Sequence, residues 1–320
     1  MSSAHLERWI TRKFRLRHVE LIAEVHASRS ILKASRRLNL SQPTVTKALQ
    51  DIESTLGLKL FQRTNRGIEP TAYGEIFARH AKIVLAQLRH AAEELESLRA
   101  GYSGKVTVGT LLAAAASILP DAIALLKKER PGVAISVSVG TYDVLMPALL
   151  AGDLDMVLGR LPEEGRSSAL LYEEFYAEPV CLVTRRGHPL TRRRRLELRD
   201  LTAEPWLLPL PETDLRRQVE RAFVEAGVPL PRNVIESVSI LTNRVLLRKS
   251  DSIAVMPYHV ALDDVEEGLL ALLPVKLKSV DSPVGAIFRA PGELPPAATA
   301  FLACLRLAAK DVPKPRLPRG

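Results

Sequence analysis

Residues 41–56 read S-Q-P-T-V-T-K-A-L-Q-D-I-E-S-T-L, and the pattern fits a helix with two unlike faces. Ser41 has the side-chain oxygen that accepts an unpaired N–H at a helix start. Pro43 falls in the first turn, where a missing N–H costs nothing. Val45, Ala48, Leu49, Ile52 and Leu56 recur at helical spacing and form an apolar stripe. Ser41, Gln42, Pro43, Thr44, Thr46, Lys47 and Gln50 lie off that stripe. Their hydroxyl, amide and ammonium groups are of the kind that reach base edges and phosphates. Taken alone, the segment is also compatible with an ordinary amphipathic surface helix.

Its neighbours favour the nucleic-acid reading. A helix is expected over residues 16–27, with Leu16, Val19, Ile22, Ala23 and His26 on one side. Ser30 then caps a short helix over residues 31–38, and Asn39 and Leu40 turn the chain into Ser41. Two helices, a tight turn and a polar-faced third helix make a helix-turn-helix, whose last helix enters the major groove. Downstream, L-F-Q-R-T-N-R-G-I-E-P-T over residues 60–71 predicts two short strands around a turn at 65–67. Such a wing places Arg63 and Arg66 for phosphates or the minor groove.

From Ser28 to Arg63 the chain carries S-x-S-x-x-x-A-S-x-x-L-x-x-S-Q-P-T-V-T-K-x-L-x-x-I-E-x-x-L-G-x-x-L-F-x-R, followed by R-G-I-E-P-T-A-Y-G-E from Arg66. This resembles the N-terminal domain of the LysR-type transcriptional regulators, and the likeness extends to about residue 310. One departure is Ser35, where the family more often has a second alanine. The resemblance implies an all-α winged helix-turn-helix with a long linker helix. It also implies a C-terminal α/β effector domain of two lobes, similar to the type 2 periplasmic-binding fold. The segment K-S-D-S-I-A-V at residues 249–255 replaces the family's usual G-x-G-I. It resembles the subset that includes regulators of sugar-binding-protein and protocatechuate genes.

At 320 residues the chain is long enough for two or three domains. Residues 1–17 lack the apolar run of a signal peptide, and the longest apolar stretch, residues 111–126, contains Pro120 and Asp121. A cytoplasmic protein is expected, with no membrane partner. Cys181 and Cys304, the only cysteines, are read as inert core residues. The net charge of +9 is concentrated: residues 1–70 hold 13 Lys and Arg against 6 Asp and Glu. That surplus at the helix-turn-helix end fits phosphate binding. Residues 1–15 read as an Arg-rich solvated extension, and the run T-R-R-R-R-L-E-L-R at 191–199 as an exposed loop.

The organisation follows. Residues 14–71 form the DNA-binding domain. Residues 72–102 are a linker helix in which Phe77, Ala81, Val84, Leu88, Ala91, Leu95 and Leu98 recur with gaps of four and three residues. That seam points to a dimer made through a partner helix, although packing on the chain's own core is the alternative. Gly101 and Gly104 end the helix as a hinge. Strands near 105–110, 134–141 and 154–160 alternate with helices and predict an open, mostly parallel sheet. The effector domain spans 103–310. From the resemblance, lobe 1 comprises about 103–165 and 272–310, and lobe 2 about 166–271. The Pro-rich tail at 311–320 is expected to be disordered.

In open α/β sheets, ligands sit beyond the carboxyl ends of strands, over helix N-termini. This rule selects Thr110, Leu111, Ala113, Thr141 and Arg160 on one side. On the other it selects Pro209, Pro211, Thr213, Ser239 and Ile240. The expected occupant is a small-molecule effector, which the resemblance implies to be a sugar or a small carboxylic acid. The chain has no H-E-x-x-H, C-x-x-C, G-x-S-x-G or P-loop, so no enzyme activity, metal or cofactor is expected. The acidic residues at 263–267 read as a surface turn. The leading reading is a ligand-responsive regulator acting as a homodimer or tetramer on double-stranded DNA with two half-sites. RNA polymerase is an implied partner. The competing readings are a solute-binding or enzymatic module on the two-lobed fold and an architectural DNA protein.

Overall fold

The computed structural model describes residues 14–64, 67–99, 104–162, 166–193, 195–275, 277, 282–289 and 294–316. Arg66 and Gly101 lie outside this set, as do the side chain of Leu98 and most of the N-terminal extension. The chain divides into two compact units, one formed largely by residues 1–100 and one by the rest.

The first unit begins with α1 (Leu16–Ser28), α2 (Ile31–Arg37) and α3 (Gln42–Leu56). Ser30 accepts the Lys33 N–H and Ser41 accepts the Thr44 N–H, so both caps form as the sequence predicts. Gly57, with φ of 66°, ends α3 in the left-handed conformation that glycine adopts without strain. Ile22, Val25, Ala34, Val45, Ile52 and Leu56 close the core beneath α3. Ser35 is 3 % exposed and donates to the Leu32 carbonyl at 3.0 Å, so its hydroxyl is satisfied where alanine is commoner. The wing is the antiparallel pair β1 (Phe61–Thr64) and β2 (Gly67–Pro70), with Arg63 opposite Ile68.

The long helix α4 (Ala72–Arg99) leaves the wing at Gly74. A Cβ there would lie 2.0 Å from the Leu60 carbonyl oxygen, so glycine lets helix and wing approach this closely. Ala81 packs on Val19 and Ala23, and Phe77 meets Phe14 edge-on at 5.4 Å. These two seam positions therefore also serve the domain's own core. Farther along, Val84, Leu88, Ala91 and Leu95 are exposed.

The second unit holds two five-stranded sheets. The first has the order β4 (Ala134–Val139), β3 (Lys105–Thr110), β5 (Met156–Arg160), β12 (Ser282–Arg289), β6 (Leu170–Glu178). Strands β4, β3 and β5 are parallel, and β12 runs antiparallel to both its neighbours. Helices α5 (Leu112–Ala115), α6 (Ile118–Glu129) and α7 (Tyr142–Ala151) connect the parallel strands, and α11 (Pro296–Ala308) packs beside α6. Val106, Val108, Met156, Leu158, Leu126 and Phe301 fill one face.

The second sheet has the order β11 (Leu270–Leu272), β7 (Val180–Arg185), β10 (Ile253–Pro257), β8 (Trp206–Leu208), β9 (Val234–Glu236). Its helices are α8 (Asp214–Glu225), α9 (Ile240–Lys249) and α10 (Tyr258–Glu266). Leu182, Trp206 and Phe223 lie on one side, while Val183, Leu207 and Ala254 lie on the other. Both faces are covered, which is why these strands read as continuous apolar runs.

Several expectations are corrected. Strand β6 belongs to lobe 1, because its whole length lies along the edge beside β12. The first crossing therefore falls at Pro179 rather than near 166. Leu273 and Leu277 remain in the core of lobe 2, so the return comes after 277 rather than near 271. The acidic run is not a surface turn: Asp263, Asp264 and Glu266 lie on α10, and Asp264 is buried against Arg244 at 2.5 Å. The described part of the tail is ordered by contacts. Val312 packs on the lobe 1 core, and Pro313 and Arg316 hydrogen-bond to α10. Residues 317–320 lie outside the described set.

Cys181 and Cys304 are buried, and burial pushes both thiols up, which suppresses the reactive thiolate. The run at 191–199 links two short 3-10 turns, Pro189–Arg192 and Leu198–Leu201; its Arg192, Arg193 and Arg195 are exposed, while Leu196 and Leu198 anchor it. Among the described residues no helix is long and apolar enough to cross a membrane.

Candidate DNA and effector sites

On α3, Val45 and Leu49 are buried while Ser41, Gln42, Pro43, Thr44, Lys47 and Gln50 are exposed. Thr46 is half-buried at the edge of this face. The Ser41 hydroxyl pairs with that of Thr44 at 2.7 Å, so both belong to the cap as well as to the exposed face. Arg63 is exposed on β1.

One residue that fixes this geometry escapes the sequence reading. Glu53 is 6 % exposed on the inner side of α3. Its Oε1 accepts the N–H groups of Leu60 and Phe61 at 2.9 and 3.0 Å, and its Oε2 accepts Lys59 Nζ at 2.7 Å. A single carboxylate thus ties the exposed helix to the wing. Its place in the quoted I-E-x-x-L-G motif is the only signal.

The structure sorts the four hydroxyls expected in the cleft. Thr110 is fully buried and donates to the Leu111 carbonyl. Thr213 caps α8, accepting Arg216 N–H and donating to Leu210. Ser239 caps α9 and pairs with Thr242. The Thr141 hydroxyl, half-buried at the start of α7, has no hydrogen-bond partner among the described residues. Leu111 is half-buried and Ala113 buried on the lobe 1 side. In lobe 2, Pro209 is buried, Pro211 and Ser239 are exposed and Ile240 is half-buried.

Arg160, at the carboxyl end of β5, is 8 % exposed. It donates to the Glu178 carbonyl and to Gln218 Oε1, each at 3.0 Å. Gln218, on α8 of lobe 2, gives its amide hydrogens to Asp214 and to Ser282 of lobe 1, both at 3.0 Å. Every polar atom of Gln218 is used, so it joins the two lobes. Tyr142 donates to the Arg160 carbonyl. Burial, followed by the charge of Asp214 in the first turn of α8, pushes its phenol up. Lobe 1 and lobe 2 residues therefore meet at the carboxyl ends of β4 and β5, where the sheet rule places a ligand. The run at 249–255 lies at the opposite end of its strand: Ser250 bonds Leu246 and Ser252, and Asp251 pairs with Arg185.

A winged helix-turn-helix joined to this two-lobed unit is the architecture on which the comparisons agree. Residues 16–75 match the bacterial regulatory helix-turn-helix proteins of the lysR family, and residues 99–310 match the LysR substrate binding domain. The chain belongs to the LysR family. The regulator GbpR of Azospirillum brasilense is 37 % identical over 297 residues, covering 92 % of this chain and 87 % of that protein. The regulator PcaQ of Agrobacterium fabrum is 34 % identical over 281 residues, covering 88 % and 90 %. Both relatives fall in the subset suggested by the 249–255 departure. A full-length OxyR variant from Pseudomonas aeruginosa superposes with a TM-score of 0.63 at 22 % identity, covering 95 % of this chain and 99 % of that one. CbnR gives 0.60 at 22 % identity, covering 93 % and 100 %, and has also been solved with its target DNA. This LysR-type protein is a ligand-responsive transcriptional regulator, with a helix-turn-helix that binds DNA and a domain that binds an effector. Its relatives are regulators rather than enzymes.

Among the described residues there is no cluster of His, Cys, Asp and Glu able to hold a metal.

Proposed function

We propose that this regulator acts in the cytoplasm as a homodimer or dimer of dimers. It reads a two-half-site operator through Gln42, Thr46 and Lys47, with Arg63 and Arg66 on phosphates, and works with RNA polymerase. Its effector, a sugar or a small carboxylic acid, lies between the lobes across Thr141, Leu111 and the 209–213 loop. The hydroxyl of Thr141, without a partner among the described residues and one position before the Tyr142 that donates to the Arg160 carbonyl, is the observation that carries the effector reading. A bound polar ligand gives that hydroxyl its partner and shifts the balance between lobe arrangements only if it binds them with different affinity.

Operator DNA selected by the wild-type protein from a random pool serves both tests. Gln42→Ala is expected to cost about 1–3 kcal/mol and to relax preference at one base pair. Arg63→Ala is expected to weaken cognate and random DNA alike and to flatten the salt dependence by about one phosphate's share per protomer. Binding over a salt series separates them. Equal weakening of cognate and random DNA by Gln42→Ala overturns the assignment.

For the effector, a thermal-shift screen of sugars and small carboxylic acids identifies a stabilising compound. Footprints with and without it then compare wild type with Thr141→Val. The variant keeps shape and loses a hydroxyl. It is expected to bind operator at wild-type affinity but to need roughly fivefold more compound, the consequence of losing a hydrogen bond worth about 1 kcal/mol. An unchanged compound requirement places the effector elsewhere.

A further inference from the structure

Glu178 is the last residue of lobe 1 before the crossing at Pro179, and it is fully buried. Its Oε1 accepts the backbone N–H of His259, at the start of α10 in lobe 2, at 3.0 Å. Its Oε2 lies 2.6 Å from His259 Nδ1. The other ring nitrogen, Nε2, lies 2.9 Å from the Pro313 carbonyl. A carbonyl can only accept, so Nε2 carries a proton. Nδ1 faces a carboxylate oxygen at hydrogen-bond distance, so a protonated ring has an acceptor at each nitrogen. The next tail contact is Arg316 N–H donating to the Tyr258 hydroxyl at 3.2 Å. Val312 is seated on the lobe 1 core one residue before Pro313. The segment after α11 thus starts on lobe 1 and ends on lobe 2, beside the place where the chain itself changes lobes.

We infer that residues 312–316 are a strap that clasps lobe 2 to lobe 1 through His259 and Glu178, and that this clasp sets the resistance to the lobe movement on which the effector reading rests. His259 is a positioning residue in this scheme, since it touches neither DNA nor the cleft hydroxyls. The clasp couples three separate stretches of chain, so removing the tail or the ring is expected to loosen the same crossing.

Several charged and titratable groups surround the ring among the described residues. From β5 comes Arg160, whose guanidinium donates to the Glu178 carbonyl at 3.0 Å, and from β7 the buried Cys181, whose thiol feels the Glu178 charge. From β6 come Glu178 and Tyr176, whose ring packs edge-on at 5.8 Å. From α10 come Tyr258, edge-on at 5.3 Å, and the exposed Asp263 one turn away. The tail brings Lys314 and Arg316, both exposed. The facing residues of α5, Leu112–Ala115, carry none. Burial opposes the charge on His259, but the hydrogen bond and charge of Glu178 and the Pro313 carbonyl outweigh it, so its pKa is raised. The clasp energy is then fully present below the unfolded histidine value of about 6.5 and is lost as pH rises through the higher folded value.

Amide hydrogen exchange on the full chain tests this without any effector. The comparison is among wild type, a chain ending at Asp311, His259→Gln, Tyr258→Phe and the first two changes combined. Peptides covering residues 176–182 and 258–262 are expected to exchange about tenfold faster in the truncated chain and in His259→Gln. Tyr258→Phe is expected to do so less, and β3 and β8 are expected to stay unchanged. The combined variant is expected to fall short of the sum of its parts, as it must for one coupled unit. Unchanged exchange at the crossing after truncation overturns the proposal. So does strict additivity, or acceleration spread evenly over both lobes. Failure of the Thr141→Val footprint would leave these outcomes untouched, so the two readings fail separately.

Discussion

Leu88→Glu is expected to split the regulator into a smaller species in sedimentation and to lower its affinity for a two-half-site operator at least about a hundredfold. Leu88 is half-exposed in the single chain, so the substitution leaves the folded protomer intact. In a paired α4 the same position would be buried beside Val84, Ala91 and Leu95, all exposed along the seam. Losing a buried leucine there forfeits about 1.5–3 kcal/mol per protomer, and burying an unpaired carboxylate adds more. Once the protomers separate, the second half-site is no longer engaged intramolecularly, and gains on the order of 10² to 10⁴ from bivalency disappear. An unchanged sedimentation coefficient would return the seam to an intramolecular role. Phe77 and Ala81, which pack on α1 and the chain's own Phe14, make poor test positions, because changing them also damages the domain core.

Glu53→Ala is expected to destabilise the DNA-binding domain by several kcal/mol, more than any single surface change on α3. The carboxylate satisfies two buried backbone donors, at Leu60 and Phe61. Each donor left without a partner costs about 1–3 kcal/mol. A small domain loses about 4–8 °C of Tm per kcal/mol, so a calorimetric transition of this domain should fall by about 10 °C or more. Glu53→Gln keeps one carbonyl oxygen in place of Oε1 and gives up the Lys59 ion pair, so it is expected to recover most of the loss. If Glu53→Gln is as unstable as Glu53→Ala, the charge matters rather than the acceptor geometry.

These residues also show what sequence reasoning can reach. Helices α1 to α4 are legible from their apolar periodicity, with recognisable caps at Ser30 and Ser41 among them. Strand β6 is not legible. Its register on β12 shifts between Val284 and Gly285, which leaves Phe175 as an extra residue. That bulge breaks the alternation of L-L-Y-E-E-F-Y-A-E, so the strand carries no clean period of two. The cleft hydroxyls show a different limit. Ser and Thr at helix starts look the same whether they await a ligand or cap a backbone, and of the four only Thr141 is left without a partner among the described residues. Glu178 and His259 stand 81 positions apart, beyond any local pattern. The prolines of the tail predict disorder, yet a proline carbonyl is as good an acceptor as any other, and Pro313 uses it.

The strand order of the first sheet bears on how the chain assembles as it is made. Strand β12 sits between β5 and β6 but is translated long after both, once the continuous second lobe is complete. Until then β5 and β6 expose unpaired edges, the sort of surface that recruits other strands. Lobe 2 has all its strands in one stretch and can close first. Lobe 1 must wait for insertion between β5 and β6, a long-range step that folds slowly and leaves nascent or prematurely terminated chains prone to aggregate.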